Sequence, residues 1–263
     1  MPRPRVHAPD AVLDAAEELI VERGRASLTI RALAERAGAA NGSIYHAFGS
    51  LETVVGAAWL RRGREFLAMQ RAAVDEALGA GPHRPLREAG PLREAGPLRE
   101  SGPLRESGPL REAGPLQEAA SLQESGPVGE VAARATPGGG RRAVLAAADA
   151  PARFADRMPH AARLLVTLRR DDVLTDAVAP AVADQLRALD AALVDTLRLL
   201  ALAVWGRGDG AAVDAVTTCV VRLPGALLFP EIRAGAVRPH TRAQLAAAVG
   251  AVLDCGPPPR PER

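Results

Sequence analysis

Two observations predict an all-α fold, and a third predicts where it is interrupted. The 263 residues are 48% hydrophobic but only 3% aromatic. A core must therefore be assembled from Ala, Leu and Val, and Ala and Leu are strong helix formers. Apolar residues recur at three- and four-residue spacing in segments bounded by helix-start and helix-stop residues. Between Pro85 and Gly126 that pattern gives way to a hexapeptide repeat. The expected architecture is an N-terminal three-helix unit over residues 1–50, a long connecting helix in 51–84, an insertion over 85–130, a C-terminal helical domain over 131–256 and a tail, 257–263.

The first helix is predicted over 10–23. Asp10 can cap it, and Val12, Leu13, Ala16, Leu19 and Ile20 form its apolar stripe. Gly24 stands where a helix stop belongs. Thr29 can cap a second, short helix over 30–37, with Ile30, Leu33, Ala34 and Ala37 apolar. Gly38 permits the positive φ of a tight turn. A third helix covers 41–47 and ends at Gly49-Ser50. Ser50 can cap the fourth, which runs over 51–78.

The repeat reads Pro-Leu-Arg-Glu-(Ala/Ser)-Gly, with units beginning at Pro85, Pro91, Pro97, Pro103, Pro109 and Pro115 and a degenerate one at Ser121. A proline every sixth residue blocks a continuous helix, because each removes a donor and clashes with the preceding turn. One Leu per unit cannot make a core. The segment reads as a low-complexity, flexible insertion, with a partner-binding segment as the alternative. Helical pattern resumes near Arg141. Residues 141–157 predict one or two short helices with Pro151 at a helix start. Pro159 opens a helix to about Arg170. A long helix follows over 180–205, then a turn over 206–210. A strongly apolar helix covers 211–232 with a break at Pro224-Gly225, and a last helix covers 240–253.

Composition also bears on function. All 33 basic residues are Arg, yet the formal net charge is only +2, so a nucleic-acid site has to be local rather than a global basic field. The two cysteines, Cys219 and Cys255, make no disulfide framework and read as buried thiols in a reducing compartment. The five histidines are scattered, and no close Cys/His grouping suggests a metal. Gly138-Gly139-Gly140 follows a linker rather than a strand, which makes it a poor phosphate loop. No nucleophile–base pattern is present. The expectation is a non-enzyme with no catalytic residue, metal or cofactor. The apolar run Leu197–Trp205 is too short to span a bilayer, and Met1–Arg5 leads into charged helix rather than an apolar leader. No membrane association and a cytoplasmic location are expected.

The informative stretch is Leu28–Phe48. Two short helices joined by a glycine turn form a helix-turn-helix. A short helix enters the major groove only when its neighbours hold it by the apolar side, and Ala34, Ala37 and Ile44 are the natural interior of such a tripod. Arg31 and Arg36 flank the proposed reading head. The pattern Thr29, Leu33, Ala34, Ala37, Gly38, Gly42, Ser43, Ile44, Tyr45, Phe48, with Ala16 and Gly24 before it, resembles the TetR family of bacterial regulators. The close match covers about residues 10–60.

The resemblance implies roles. Thr29 would cap the second helix and touch phosphate. Arg31 would reach phosphate or a base edge. Asn41, Gly42 and Ser43 would open the recognition helix toward the groove, Tyr45 would hydrogen-bond phosphate, and His46 would sit at the rim. Phe48 would plug the core. Leu51 stands where the family often has Lys, and Ala40 where it often has Ser or Thr. Arg3 and Arg5 resemble a minor-groove arm. The resemblance further implies a homodimer acting as a repressor, released from a palindromic double-stranded DNA operator by a small-molecule effector. Its C-terminal domain would bind that ligand and dimerise. Val213, Val216, Val220, Leu223, Leu245, Val249 and Val252 are interface or internal-core candidates. Phe154, Met158, Trp205 and Phe229 are pocket candidates. An interaction protein working through the repeat, with a degenerate DNA-binding head, is the alternative. Deleting residues 86–126 should leave a single cooperative thermal unfolding transition, because the repeat supplies no core; a broad melt by circular dichroism would contradict the insertion reading.

Overall fold

The computed structural model describes residues 8–79 and 138–259. The hexapeptide repeat, Arg3 and Arg5, and residues 260–263 of the tail lie outside the described residues. Every regular element among the described residues is helical. In order these are α1 (Ala8–Arg23), a 3-10 turn (Arg25–Ser27), α2 (Ile30–Ala37), α3 (Asn41–Phe48), α4 (Leu51–Leu78), α5 (Gly139–Arg157), α6 (Pro159–Thr167), α7 (Arg170–Val173), α8 (Pro180–Trp205), α9 (Gly210–Thr217), a π turn (Thr218–Arg222), α10 (Leu223–Leu227), α11 (Phe229–Ala234) and α12 (Pro239–Cys255).

The local chemistry accounts for the boundaries. The Thr29 hydroxyl oxygen accepts from the Ala32 N–H at 3.1 Å, which starts α2. Gly38, at φ 62°, stops it. Ser50 Oγ accepts from the Thr53 N–H at 3.0 Å and starts α4, while donating to Ala177 O at 2.8 Å. Thr53 Oγ1 accepts from the Ala179 N–H at 2.9 Å. The start of α4 is thereby tied to the segment that leads into α8.

Two cores result. The head core joins Leu19, Ile20, Leu33 and Ile44 to Val54, Val55 and Ala58 at the start of α4, and it reaches Leu164 and Leu168 beside α6. The body core joins Val74 and Leu78 at the far end of α4 to α5, α8, α9 and α12. Between them, the buried Glu17 carboxylate of α1 is held by Arg61 and Arg62 of α4; Arg62 Nε donates to Glu17 Oε2 at 2.9 Å. A buried carboxylate is tolerable only when paired and hydrogen-bonded in this way.

Four differences from the sequence reading have physical causes. Residues 139–157 form one helix with Pro151 inside it. Pro151 offers no N–H to the Ala147 carbonyl, and Gln70 of α4 fills the gap, its Nε2 donating to Ala147 O at 3.1 Å. The apolar segment after Gly210 breaks at a wide turn, Thr218–Arg222, just before Pro224. A widened turn relieves the clash between a proline ring and the carbonyl four residues back. The helix opened by Pro159 stops at Thr167, and Leu168 is extended. Cys219 is buried, and burial pushes its thiol up to about 11, whereas Cys255 is exposed.

The segment Gly210–Ala234, with a mean hydropathy of 1.5, is long and apolar enough by composition to cross a membrane, in place of the shorter run Leu197–Trp205. It is broken by the π turn and by Pro224 and Pro230, and it packs on the body core. Of the interface candidates, Val216, Val220, Leu245 and Val249 are buried inside the protomer, so they are internal core; Val213, Leu223 and Val252 are half-buried against it.

The glycine triplet serves packing. Gly138, at φ 72°, leads into α5, and Gly140 lets α5 meet the backbone of α8. A Cβ there would stand 2.2 Å from the Ala203 carbonyl oxygen. Gly140→Ala should therefore lower stability by about 2 kcal/mol or more in urea unfolding. Gly210→Ala, where a Cβ meets nothing within 4 Å, should stay within about 1 kcal/mol of the parent.

Candidate nucleic-acid interface

The proposed reading head is α2, its glycine turn and α3. Ile44 is the one buried residue of α3, at 1% exposure. Asn41, Gly42, Ser43, Tyr45, His46 and Ala47 are all exposed, and Phe48 is half-buried against the head core. Tyr45 is 54% exposed, the most exposed large apolar side chain among the described residues. One aliphatic peg thus fixes a helix whose remaining surface is presented outward. An exposed aromatic with a phenolic hydroxyl gains nothing for the fold, and it has the chemistry to donate to an anionic oxygen.

Helix α3 starts without a side-chain cap, because Ala40 occupies the N-cap position. Ser43 Oγ donates back to Ala40 O at 2.7 Å, so that hydroxyl is partly engaged within the protein. The N–H groups of the first turn lie at an exposed helix start, where anions are favoured. Thr29 and Arg31 are exposed at the start of α2, and among the described residues no ion pair holds Arg31. Leu51 is half-buried and packs on the head core, which explains why an aliphatic residue stands there.

Arg36 does not join Arg31 in flanking the reading head, as its place in the sequence suggests. It pairs with Glu18 at 2.7 Å and Glu22 at 3.0 Å. The hydrogen bond to Glu22, then that to Glu18, raises the guanidinium above its ordinary range, and the hydrogen bond from Arg36 lowers the Glu22 carboxyl. Arg36 therefore fastens α2 to α1, whereas Arg31 stands exposed at the start of α2.

A second feature lies in the body. A cavity of about 230 Å³ is walled by α4, α5, α6, α8, the π turn and α11. Of the four pocket candidates, Phe154 and Phe229 line it, while Met158 and Trp205 do not and pack against the body core. Trp59, Phe66, Gln70 and Asp190 line it as well. Sequence reading misses these four because they sit on helices assigned to connection and core.

Residues 12–58 match the family model described as bacterial regulatory proteins, tetR family. No curated protein matches the chain. The matched region spans α1 to the first turns of α4, the same stretch that forms the head core. Residues 12–58 therefore carry the DNA-binding domain of tetR-family regulators, and that domain marks the chain as a DNA-binding transcription regulator.

Ile44 and Tyr45 are neighbours with opposite expected costs. Ile44→Ala should destabilise the protein by about 2–5 kcal/mol, as for other buried aliphatic truncations. Tyr45→Ala should change stability by less than about 0.5 kcal/mol. Both are read by chemical denaturation.

Proposed function

We propose that the chain is a homodimeric repressor that binds a palindromic operator through α2 and α3 and leaves it when a small molecule fills the body cavity. The observation that carries this is α3 itself: Ile44 buried, and every other residue from Asn41 to Ala47 exposed. That is the arrangement needed to insert a helix into the major groove. In this reading Arg31 and Thr29 contact phosphate or a base edge, Tyr45 donates to phosphate, and Asn41, Gly42, Ser43 and His46 face the groove. Residues 1–50 read DNA, 51–84 connect, and 131–256 bind ligand and dimerise. The protein would work in the cytoplasm, beside the chromosome.

Dimerisation follows from selectivity. One eight-residue helix covers too few base pairs, whereas two heads about 34–36 Å apart read a palindrome. The segment Gly210–Ala234 and α12 supply a candidate partner surface. Only 33% of the most apolar window in Gly210–Ala234 is buried. Val221, Ala243, Ala246 and Ala247 are exposed, small enough for close helix approach.

Selection from random DNA with purified protein should yield a palindrome, and footprinting should place two half-sites. Arg31→Ala/Tyr45→Ala should abolish that footprint while leaving the melting temperature unchanged. Affinity should fall steeply with salt, since phosphate contacts release counterions. An unchanged footprint in the double variant would place the reading head elsewhere.

A further inference from the structure

We propose, building on the effector-released reading above, that the body cavity takes a lipophilic amine in its protonated form. The first reason is where the aromatic residues lie. The chain has 4 Phe, 2 Trp and 1 Tyr, and Phe66, Phe154, Phe229 and Trp59 all line this cavity. Phe66 and Phe154 meet edge to face with ring centroids 5.6 Å apart. In a protein whose core is otherwise Ala, Leu and Val, the rings collect around an apolar cavity. Aromatic faces attract cations.

The second reason is Gln70. Its side chain is 2% exposed. Its Nε2 must be the atom facing Ala147 O, because a carbonyl only accepts, and that carbonyl lost its helical donor to Pro151. The amide orientation is thus forced, and Oε1 is buried with no hydrogen-bond partner. A buried acceptor without a donor costs free energy until a ligand supplies one. An ammonium N–H does so with a charge-assisted bond. The third reason is sign. Among the described residues, Asp190 is the only ionisable side chain lining the cavity, so the wall offers a carboxylate or phosphate no cationic side chain to pair with, whereas a cation meets a carboxylate there. Trp59 Nε1 is also buried without an acceptor, so an oxygen or ring nitrogen on the ligand would add to binding without being required for it.

The cavity also lies where occupancy can be felt by the head. Trp59 packs against both the head core and the cluster around Val182 and Leu186. Gly63, one turn along α4, has Leu189 and Trp59 so close that a Cβ would stand 2.7 Å and 3.3 Å from them. A ligand that repositions Trp59 presses on the part of α4 that carries Val55 and Ala58.

The test uses full-length protein without DNA and three probes of one shape: naphthylmethylamine, naphthalenemethanol and naphthoate, titrated by calorimetry near neutral pH. The amine should bind at least about tenfold more tightly than the carboxylate, with the alcohol between them. Gln70→Met and Asp190→Asn should each weaken amine binding by about tenfold and shift the alcohol by less than about threefold. Asp190→Asn keeps the shape of the site, so it decides the matter if Gln70→Met unfolds for want of its bond to Ala147. Carboxylate binding as tight as the amine, no amine binding at millimolar concentration, or an undiminished amine preference in Asp190→Asn would each overturn the proposal. Protein that selects a palindrome but ignores the amine sinks this inference alone. Protein that takes the amine but prefers no duplex sinks the operator reading alone.

Discussion

Helix α4 is the constraint on which the rest of the structure depends. Its 28 residues span about 42 Å, and its two ends belong to different cores. Val54, Val55 and Ala58 complete the head, while Val74 and Leu78 complete the body. A single rigid helix therefore carries any displacement from one to the other. Where the change of partner occurs, Arg61 and Arg62 grip Glu17 of α1. Loss of either arginine would leave a buried carboxylate short of a partner, which costs far more than an exposed pair is worth. The ion pairs at this point fix how the head is mounted rather than merely adding stability.

The scarcity of aromatic residues shapes the body in turn. Ala143, Ala147, Ala148 and Ala152 of α5 are almost fully buried, and small side chains let helices approach closely. Gly140 takes this furthest, because the backbone of α8 occupies the space a side chain would need. Tight alanine packing is intolerant of irregularity, and two prolines in the body have a visible compensation. Gln70 replaces the donor lost at Pro151. The π turn widens the chain before Pro224. At the other junction Glu231 joins α11 to α12. It accepts from the Arg238 N–H at 2.8 Å and from Thr241 Oγ1 at 2.8 Å. The Arg238 backbone N–H, then its guanidinium and the Thr241 hydroxyl, hold the carboxyl down at about 2.

The head is legible in the sequence almost residue by residue, because its signals are local. Thr29 and Ser50 announce helix starts, Gly38 and Gly49 announce stops, and Ile44 stands out as the aliphatic of a largely polar octet. The limits of α4 and α8 are equally plain from caps and periodicity. What the sequence hides are pairings across long separations. Pro151 looks like a helix start until Gln70, 81 residues earlier in the chain, is seen to take over the donor's role. Arg36 looks like a basic flank of the reading head until α1 brings Glu18 and Glu22 beside it. Val216 and Val249 look like a partner surface until the body folds over them. Trp59 reads as one more apolar position on a connecting helix, and only the packing of α4 against α6 and α8 shows that it borders a cavity.

These pairings also bear on how a signal could travel on the proposed reading. A ligand shifts an equilibrium only by the difference in its affinity for two arrangements, so the cavity must border something that moves with the head. Two such connections exist. Trp59 belongs to the cavity wall and to the packing of the head core. Ser50 and Thr53, at the first turn of α4, bond the backbone of Ala177 and Ala179, just before α8 begins and α8 goes on to supply Asp190 and Leu193 to the cavity. Both contacts lie within the first three turns of α4. Expanding the cavity can therefore tilt that end of the helix only by straining one contact or the other. That makes a small movement in the body costly to absorb locally and favours passing it on to α3.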